Sequence, residues 1–179
     1  MLFIREPSAD LFKEAKQGLL EVLTNPSPFD ISAAKKGAEF ALQNFDGYIA
    51  YLEKNKSELQ PQGRVPSTVL WLYDDEQFVG VFDVRHTLNE FLRQRGGHIA
   101  YEIIPSKRGQ NYTLKGLKLV LNWCKQNLNL DEVLLFCDER NIASHKVLEK
   151  ALAAFGGRRL SPHETDGNIE CGYWLKTKK

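Results

Sequence analysis

Apolar positions along the chain follow two different periods, and the change between them divides it. Residues 8–23, "SADLFKEAKQGLLEVL", place Leu11, Phe12, Ala15, Leu19, Leu20 and Leu23 on one face of a helix that Ser8 can cap. A Pro-rich break, "NPSPFD", follows. Residues 30–57 then read as a helical region interrupted near Asp46-Gly47. The stretch 59–67, "LQPQGRVPS", is a loop, since two prolines and a glycine fall within a few residues.

From Thr68 the period shortens. "TVLWLY" and "FVGVFDVRH" read as two strands of an antiparallel hairpin around "DDEQ". "LNEFLRQR" is a short helix, and Gly96-Gly97 turns the chain into the strand "HIAYEII". Pro105 has no backbone donor and ends regular pairing there. Leu114, Leu117, Leu121, Cys124 and Leu128 then recur at helical spacing. "EVLLFC" is a continuous apolar run, as in a strand covered on both faces. Ser144–Phe155 forms a helix that Gly156-Gly157 ends, and "ECGYWLKT" is the last strand. Three strands, a helix, a strand, a helix and a strand predict an α/β (α+β) fold with a mixed sheet and packed helices. The expectation is one domain over 1–179, with a helical part at 1–60 and a core at 65–175.

Composition narrows the function classes. With 42% apolar and 26% charged residues, the 179-residue chain has ordinary globular values. A formal net charge of +1 argues against a generally basic nucleic-acid binder. No apolar run approaches a membrane span, and the N-terminus lacks the apolar core of a signal peptide. Three cysteines without a CxxC point to a reduced, cytoplasmic setting and no zinc site.

The candidate chemistry lies in "PSKRGQNYTLKG". A strand, a tight basic loop and a helix N-terminus in succession aim free backbone N–H groups at one point, where the helix dipole favours an anion. Alone, that pattern is as common in plain connections as in phosphate sites. In company it says more. Arg108, Gly109, Gln110, Asn111, Tyr112 and Thr113 resemble the acyl-CoA pyrophosphate loop of the GCN5-related N-acetyltransferases (GNAT), Gln/Arg-x-x-Gly-x-Gly/Ala. "VLLFCDERNIASHKVLEK" resembles that superfamily's following strand and helix, with Asn141 and Ser144 at its groove positions. "VPSTVLWLYDDEQFVGVFDVRH" and "VRHTLNEFLRQRGGHIAYEIIPSKRG" are similar to a bacterial branch of predicted acetyltransferases. Asn111 stands where the pattern has glycine, and asparagine tolerates left-handed angles better than most residues. Thr113 replaces Gly/Ala.

The resemblance implies a GNAT-like, mostly antiparallel sheet with a splayed parallel strand pair, "HIAYEII" and "EVLLFC", that binds acyl-CoA. Backbone groups of Ile103 and Ile104 would pair with the pantetheine arm. It implies an N-acetyltransferase moving acetyl from acetyl-CoA, without a metal, to a primary amine of a small molecule or peptide by direct attack. No nucleic-acid or membrane partner is expected, and a homodimer is allowed. The alternative is a non-catalytic acyl-CoA-binding domain. Leu148 stands where many members carry a tyrosine that protonates the departing thiolate, and Tyr173 is a candidate substitute. A free alkyl amine has a pKa of about 10, so a base must take its proton. His98 and Glu102 alternate onto one face of their strand; Glu102 is preferred, with His98 also read as a backbone-bonding residue.

Overall fold

The computed structural model describes residues 1–29, 33–57 and 63–177. The expected start of the second helical region at residue 30, part of the loop 59–67, and Lys178 and Lys179 lie outside them. Strand β1 (Leu2–Arg5) pairs antiparallel with β2 (Ser67–Asp74), β2 with β3 (Gln77–Arg85), and β3 with β4 (Ile99–Ile103), giving the order β1-β2-β3-β4. The β2–β3 hairpin stands where alternation placed it. β1 had no sequence signal: four residues between exposed ends are too few to set a period.

Helices cover both faces of this sheet. α1 (Ala9–Thr24), α2 (Ala33–Gln43) and α3 (Phe45–Asn55) form one layer, with Ala15, Leu19, Tyr48 and Leu52 buried against Trp71, Tyr73 and Phe78. Three details differ from expectation, the first being that Ser8 precedes α1 without a side-chain capping bond. Leu20 of α1 is exposed, and Gly18 takes the inward position, because Phe78 fills the space a side chain there would need. The break between helices falls at Asn44, whose Oδ1 accepts the Gly47 N–H and so caps α3 two residues earlier.

After the short α4 (Glu90–Gln94), α5 (Tyr112–Leu128) and α6 (Ile142–Phe155) supply the second layer. Leu117, Val120 and Leu121 of α5 are buried with Leu72, Phe82 and Ile103. Each such side chain contributes about 1.5–3 kcal/mol when fully buried. The C-terminal strands β5 (Glu132–Asp138), β6 (Gly157–Arg159), β7 (His163–Thr165) and β8 (Asn168–Lys176) form a second antiparallel sheet centred on β8. β6 and β7 are three-residue polar pieces, again below the length at which a pattern is legible.

The expected single mixed sheet is therefore two antiparallel sheets, and no parallel ladder joins β4 to β5 among the described residues. They touch at one isolated bridge, Gly97 with Leu135. Gly97 (φ 64°) is needed there, because a Cβ would stand 2.2 Å from the Leu134 carbonyl oxygen. His98 then closes the ladder. Its N–H donates to Leu134 O at 2.6 Å, and its Nδ1 accepts the Leu134 N–H at 2.9 Å. Among the described residues β4 and β5 make no further ladder with each other.

Candidate active site

Past that junction, β4 and the end of β5 border an open cleft of about 600 Å³. Its floor includes Ile99–Ile103 and Phe136–Asp138. One end is walled by the loop before α5, the other by the N-terminal turn of α6. In the loop, a 3-10 turn at Pro105–Lys107 leads to Gly109 (φ 77°) and Asn111 (φ 63°). Asn111 thus adopts the left-handed conformation that a glycine would supply. The first backbone bond of α5 runs from Lys115 N–H to Asn111 O, so the amides ahead of it lack an intrahelical acceptor. Open space surrounds Gly109. Backbone donors, the helix dipole and Lys107 suit an anionic, phosphate-bearing ligand; Arg108 and Arg140 also line the cleft, each paired with a carboxylate, Glu102 and Asp138.

The candidate residues divide. Glu102, Ile103, Arg108, Gly109, Asn111, Tyr112, Thr113, Asn141 and Ser144 line the cleft; His98, Ile104 and Gln110 do not. Gln110 bonds Ser106 O. Ile104 is buried with the α1–α3 layer; its N–H donates to Val79 O and its carbonyl accepts from Lys107. His98 is buried, edge-on to Trp174. Desolvation, with Arg93 and Arg85 adding to it, pushes its pKa down to about 4. It is neutral at pH 7, with its Nδ1 lone pair already committed to β5. Asn141 caps α6, accepting the Ser144 N–H at 3.1 Å. Tyr112 is drawn away from the loop, its hydroxyl donating to Asp74 at 2.8 Å.

Arg108 does not extend into the cleft as an unengaged charge. Its Nη2 donates to Glu102 at 3.0 Å, its Nε to Ile103 O at 3.1 Å, and its Nη2 also reaches Asn25 O at 3.4 Å. It fixes Glu102 as the charged half of an ion pair and ties β4 to the segment after α1. On the other side of β4 lies a second cavity of about 790 Å³, between the sheet and α1–α3. Phe29, Ala100, Tyr101 and Glu102 line both spaces. Of these, only Tyr101 and Glu102 carry groups that exchange protons.

Strand alternation sends those two side chains to opposite faces. Tyr101 packs with the α5–α6 core and donates to Ser144 Oγ at 3.2 Å; burial pushes its pKa up to about 12. Sequence reasoning passed over Tyr101, although the same period that selected Glu102 places it on the α6 side. The proposed substitute, Tyr173, is fully buried, bonded to His145 and Glu149, and lines neither space. Leu148 is sealed in the core. Arg85 bonds the carbonyls of Gly96 and Gly97 at 3.1 and 3.0 Å, which orders the approach to the junction.

With this geometry in view, comparison with known proteins decides the family. The family model described as "Acetyltransferase (GNAT) domain" matches residues 17–151. The chain belongs to the GNAT acetyltransferase family. No curated protein matches it in sequence. Solved structures do match in fold. The ribosomal-protein-S5-alanine acetyltransferase of Vibrio fischeri is 14% identical with a TM-score of 0.66, covering 98% of this chain and 93% of its own. RimJ of Mycobacterium smegmatis, solved with CoA-disulfide, is 17% identical with a TM-score of 0.67 over 98% and 81%. A chimera of the Vibrio cholerae spermidine N-acetyltransferase SpeG and hSSAT is 11% identical with a TM-score of 0.61 over 98% and 95%. Among the described residues, no helix is long and apolar enough to cross a membrane, and no group of three or more His, Cys, Asp or Glu could hold a metal ion.

Proposed function

We propose that this GNAT protein transfers the acetyl group of acetyl-CoA to a primary amine, with Glu102 as the general base. The observation that carries the reading is the position of Glu102: a half-buried strand carboxylate on the wall common to two cavities, one suited to a phosphate-bearing ligand, the other with a largely apolar and aromatic lining. The family supplies the chemistry, and the structural neighbours act on ribosomal proteins and on spermidine, which are amine acceptors. A cytoplasmic setting accords with three buried, free cysteines.

Acetyl-CoA, when bound, supplies the acetyl group as an activated thioester that the neutral amine attacks directly. The loop Arg108–Thr113 and the free amides of α5 hold its phosphates; Asn141 and Ser144 line the groove beside them, and the unpaired edge of β4 offers backbone groups to the pantetheine arm. Ile103 takes part through its position on that edge, with its carbonyl already accepting from Arg108 Nε, whereas both backbone groups of Ile104 are used within the chain. Glu102 accepts the amine proton directly or through a water, and Arg108 keeps its carboxylate in place. Tyr101 answers the absence of a tyrosine at Leu148. With a pKa of about 12 it keeps its proton, and by turning its O–H from Ser144 Oγ toward the departing sulfur it would stabilise that sulfur with a hydrogen bond. His98 acts as a positioning residue that ties the start of β4 to β5 at Leu134, where the cleft begins.

The test is release of free CoA thiol with a panel of amines and peptide N-termini. Turnover that requires an amine upholds the reading. Acetyl-CoA binding without turnover on any amine moves the protein to the non-catalytic class.

A further inference from the structure

The amine-side cavity contains an acid that the reaction does not use. Asp83 lies on β3, a central strand, in register between Val69 of β2 and Ala100 of β4. Neither neighbour can pair with it. Its side chain lines the cavity, and its Oδ1 is sealed from solvent without a hydrogen-bond partner. The nearest cation, Arg85, has Nη2 3.9 Å from Asp83 Oδ2, beyond hydrogen-bonding distance, while its Nη1 serves the carbonyls of Gly96 and Gly97. Lys36 and Arg64 are exposed at the rim. Asp83 is half-buried, with Oδ1 sealed and the rest of the carboxylate open to the cavity, and desolvation raises its pKa even with Arg85 and the Ser67 hydroxyl opposing it. Among the described residues Arg85 is the one cation within 4 Å of this carboxylate, and it is shared with two carbonyls, so a further cation entering from the cavity would complete the pairing.

Register fixes where that cation would sit relative to the reacting amine. Asp83 is opposite Ala100, and Glu102 is two residues further on the same face of β4. Diagonal neighbours of this kind stand about 7–8 Å apart. The wall between and around them is apolar and aromatic, with Phe40, Tyr48, Trp71 and Phe91, surfaces that favour a methylene chain and a nearby ammonium.

We infer that the acceptor is a short diamine or polyamine: its reacting amine lies at Glu102 while a second ammonium pairs with Asp83. This deepens, and rests on, the acetyltransferase reading. The cavity, at about 790 Å³, has room for a longer polyamine as well.

Cadaverine, whose two nitrogens span about the required distance, is compared with pentylamine, which lacks the second charge. The readout is the ratio of kcat/KM for the two in the parent, Asp83→Asn and Asp83→Glu. The parent is expected to favour cadaverine roughly tenfold to hundredfold, the range for a charge-assisted hydrogen bond. Asp83→Asn should collapse that ratio toward one, and Asp83→Glu should keep most of it. A parent that treats the two amines alike, or an Asp83→Asn variant that retains the preference, overturns the inference. If the parent acetylates neither but does acetylate a peptide N-terminus, the inference is overturned; if it acetylates nothing in the wider panel, the acetyltransferase reading fails, and thermal stabilisation by each amine alone decides the site. Selective stabilisation by cadaverine that Asp83→Asn removes upholds it; equal or absent stabilisation overturns it.

Discussion

Glu102 and Tyr101 are adjacent in sequence and separated by the sheet. A strand sends successive side chains to opposite faces, so on the proposed reading one dipeptide would supply a proton acceptor to one cavity and a hydrogen-bond donor to the α6 side. Each role has its own signature. Glu102→Gln keeps shape but removes basicity, and turnover should fall roughly 10²-fold or more. It also ends the ion pair with Arg108, so acetyl-CoA affinity, measured by calorimetry, should change far less than turnover; an equal loss in both would make Glu102 an anchor for the loop instead. Tyr101→Phe removes only the hydroxyl and its bond to Ser144. Its kcat should drop roughly tenfold to hundredfold with little change in the KM for acetyl-CoA. An unchanged kcat would leave the departing sulfur to solvent. The base candidate was legible in the sequence because an ionisable residue inside an apolar strand is conspicuous. Tyr101 was not, because a tyrosine in a strand has no need of a special explanation, and only the bond to Ser144, 43 residues away, distinguishes it.

At the scale of elements, the local pattern predicted what is long and periodic and missed what is short. The β2–β3 hairpin, α1, α5, β5 and α6 all follow runs of alternating or helical period, whereas β1, β6 and β7 exist only because a neighbouring strand offers them an edge. The partition into two sheets was likewise illegible, since it depends on one contact between residues far apart in sequence. His98 makes that contact, and its burial has a pH consequence. The unfolded His98 has a pKa of about 6.5, the folded one about 4. Between these values the unfolded chain binds the extra proton, so this residue's contribution to stability falls as pH drops from about 6.5 toward 4, by at most ~1.4 kcal/mol per pH unit, and is constant above that window. His98→Asn can offer its carboxamide oxygen to the Leu134 N–H without titrating. Chemical denaturation across that range should therefore show a shallower acid loss for the variant than for the parent. Parallel profiles would mean that the His98–Leu134 bond is already broken before His98 protonates.

For the whole molecule, the cleft lies where two separately hydrogen-bonded sheets meet. The first sheet contributes β4, the second contributes the end of β5, and among the described residues backbone pairing between them is confined to the bridge at Gly97 and the His98 contacts. A ligand that spans the cleft from the loop before α5 to the cap of α6 therefore adds connections that the polypeptide leaves unmade. Such a ligand binds the folded chain and not the unfolded one, and at about a hundredfold excess over its Kd it adds about 2.7 kcal/mol of stability. For a domain of this size each kcal/mol raises Tm by about 2–4 °C, so acetyl-CoA and CoA should raise it by roughly 5–10 °C. ATP and NAD carry a pyrophosphate but no pantetheine arm for the edge of β4, so their shifts should be much smaller at equal concentration. Amide hydrogen exchange locates the effect. With CoA bound, protection should rise in β4, in the loop 105–113 and at the start of α6, and the far edge at β1 and β2 should change least. A shift of equal size with ATP would mean that the loop recognises phosphate alone, and the β4 edge would then have no part in binding.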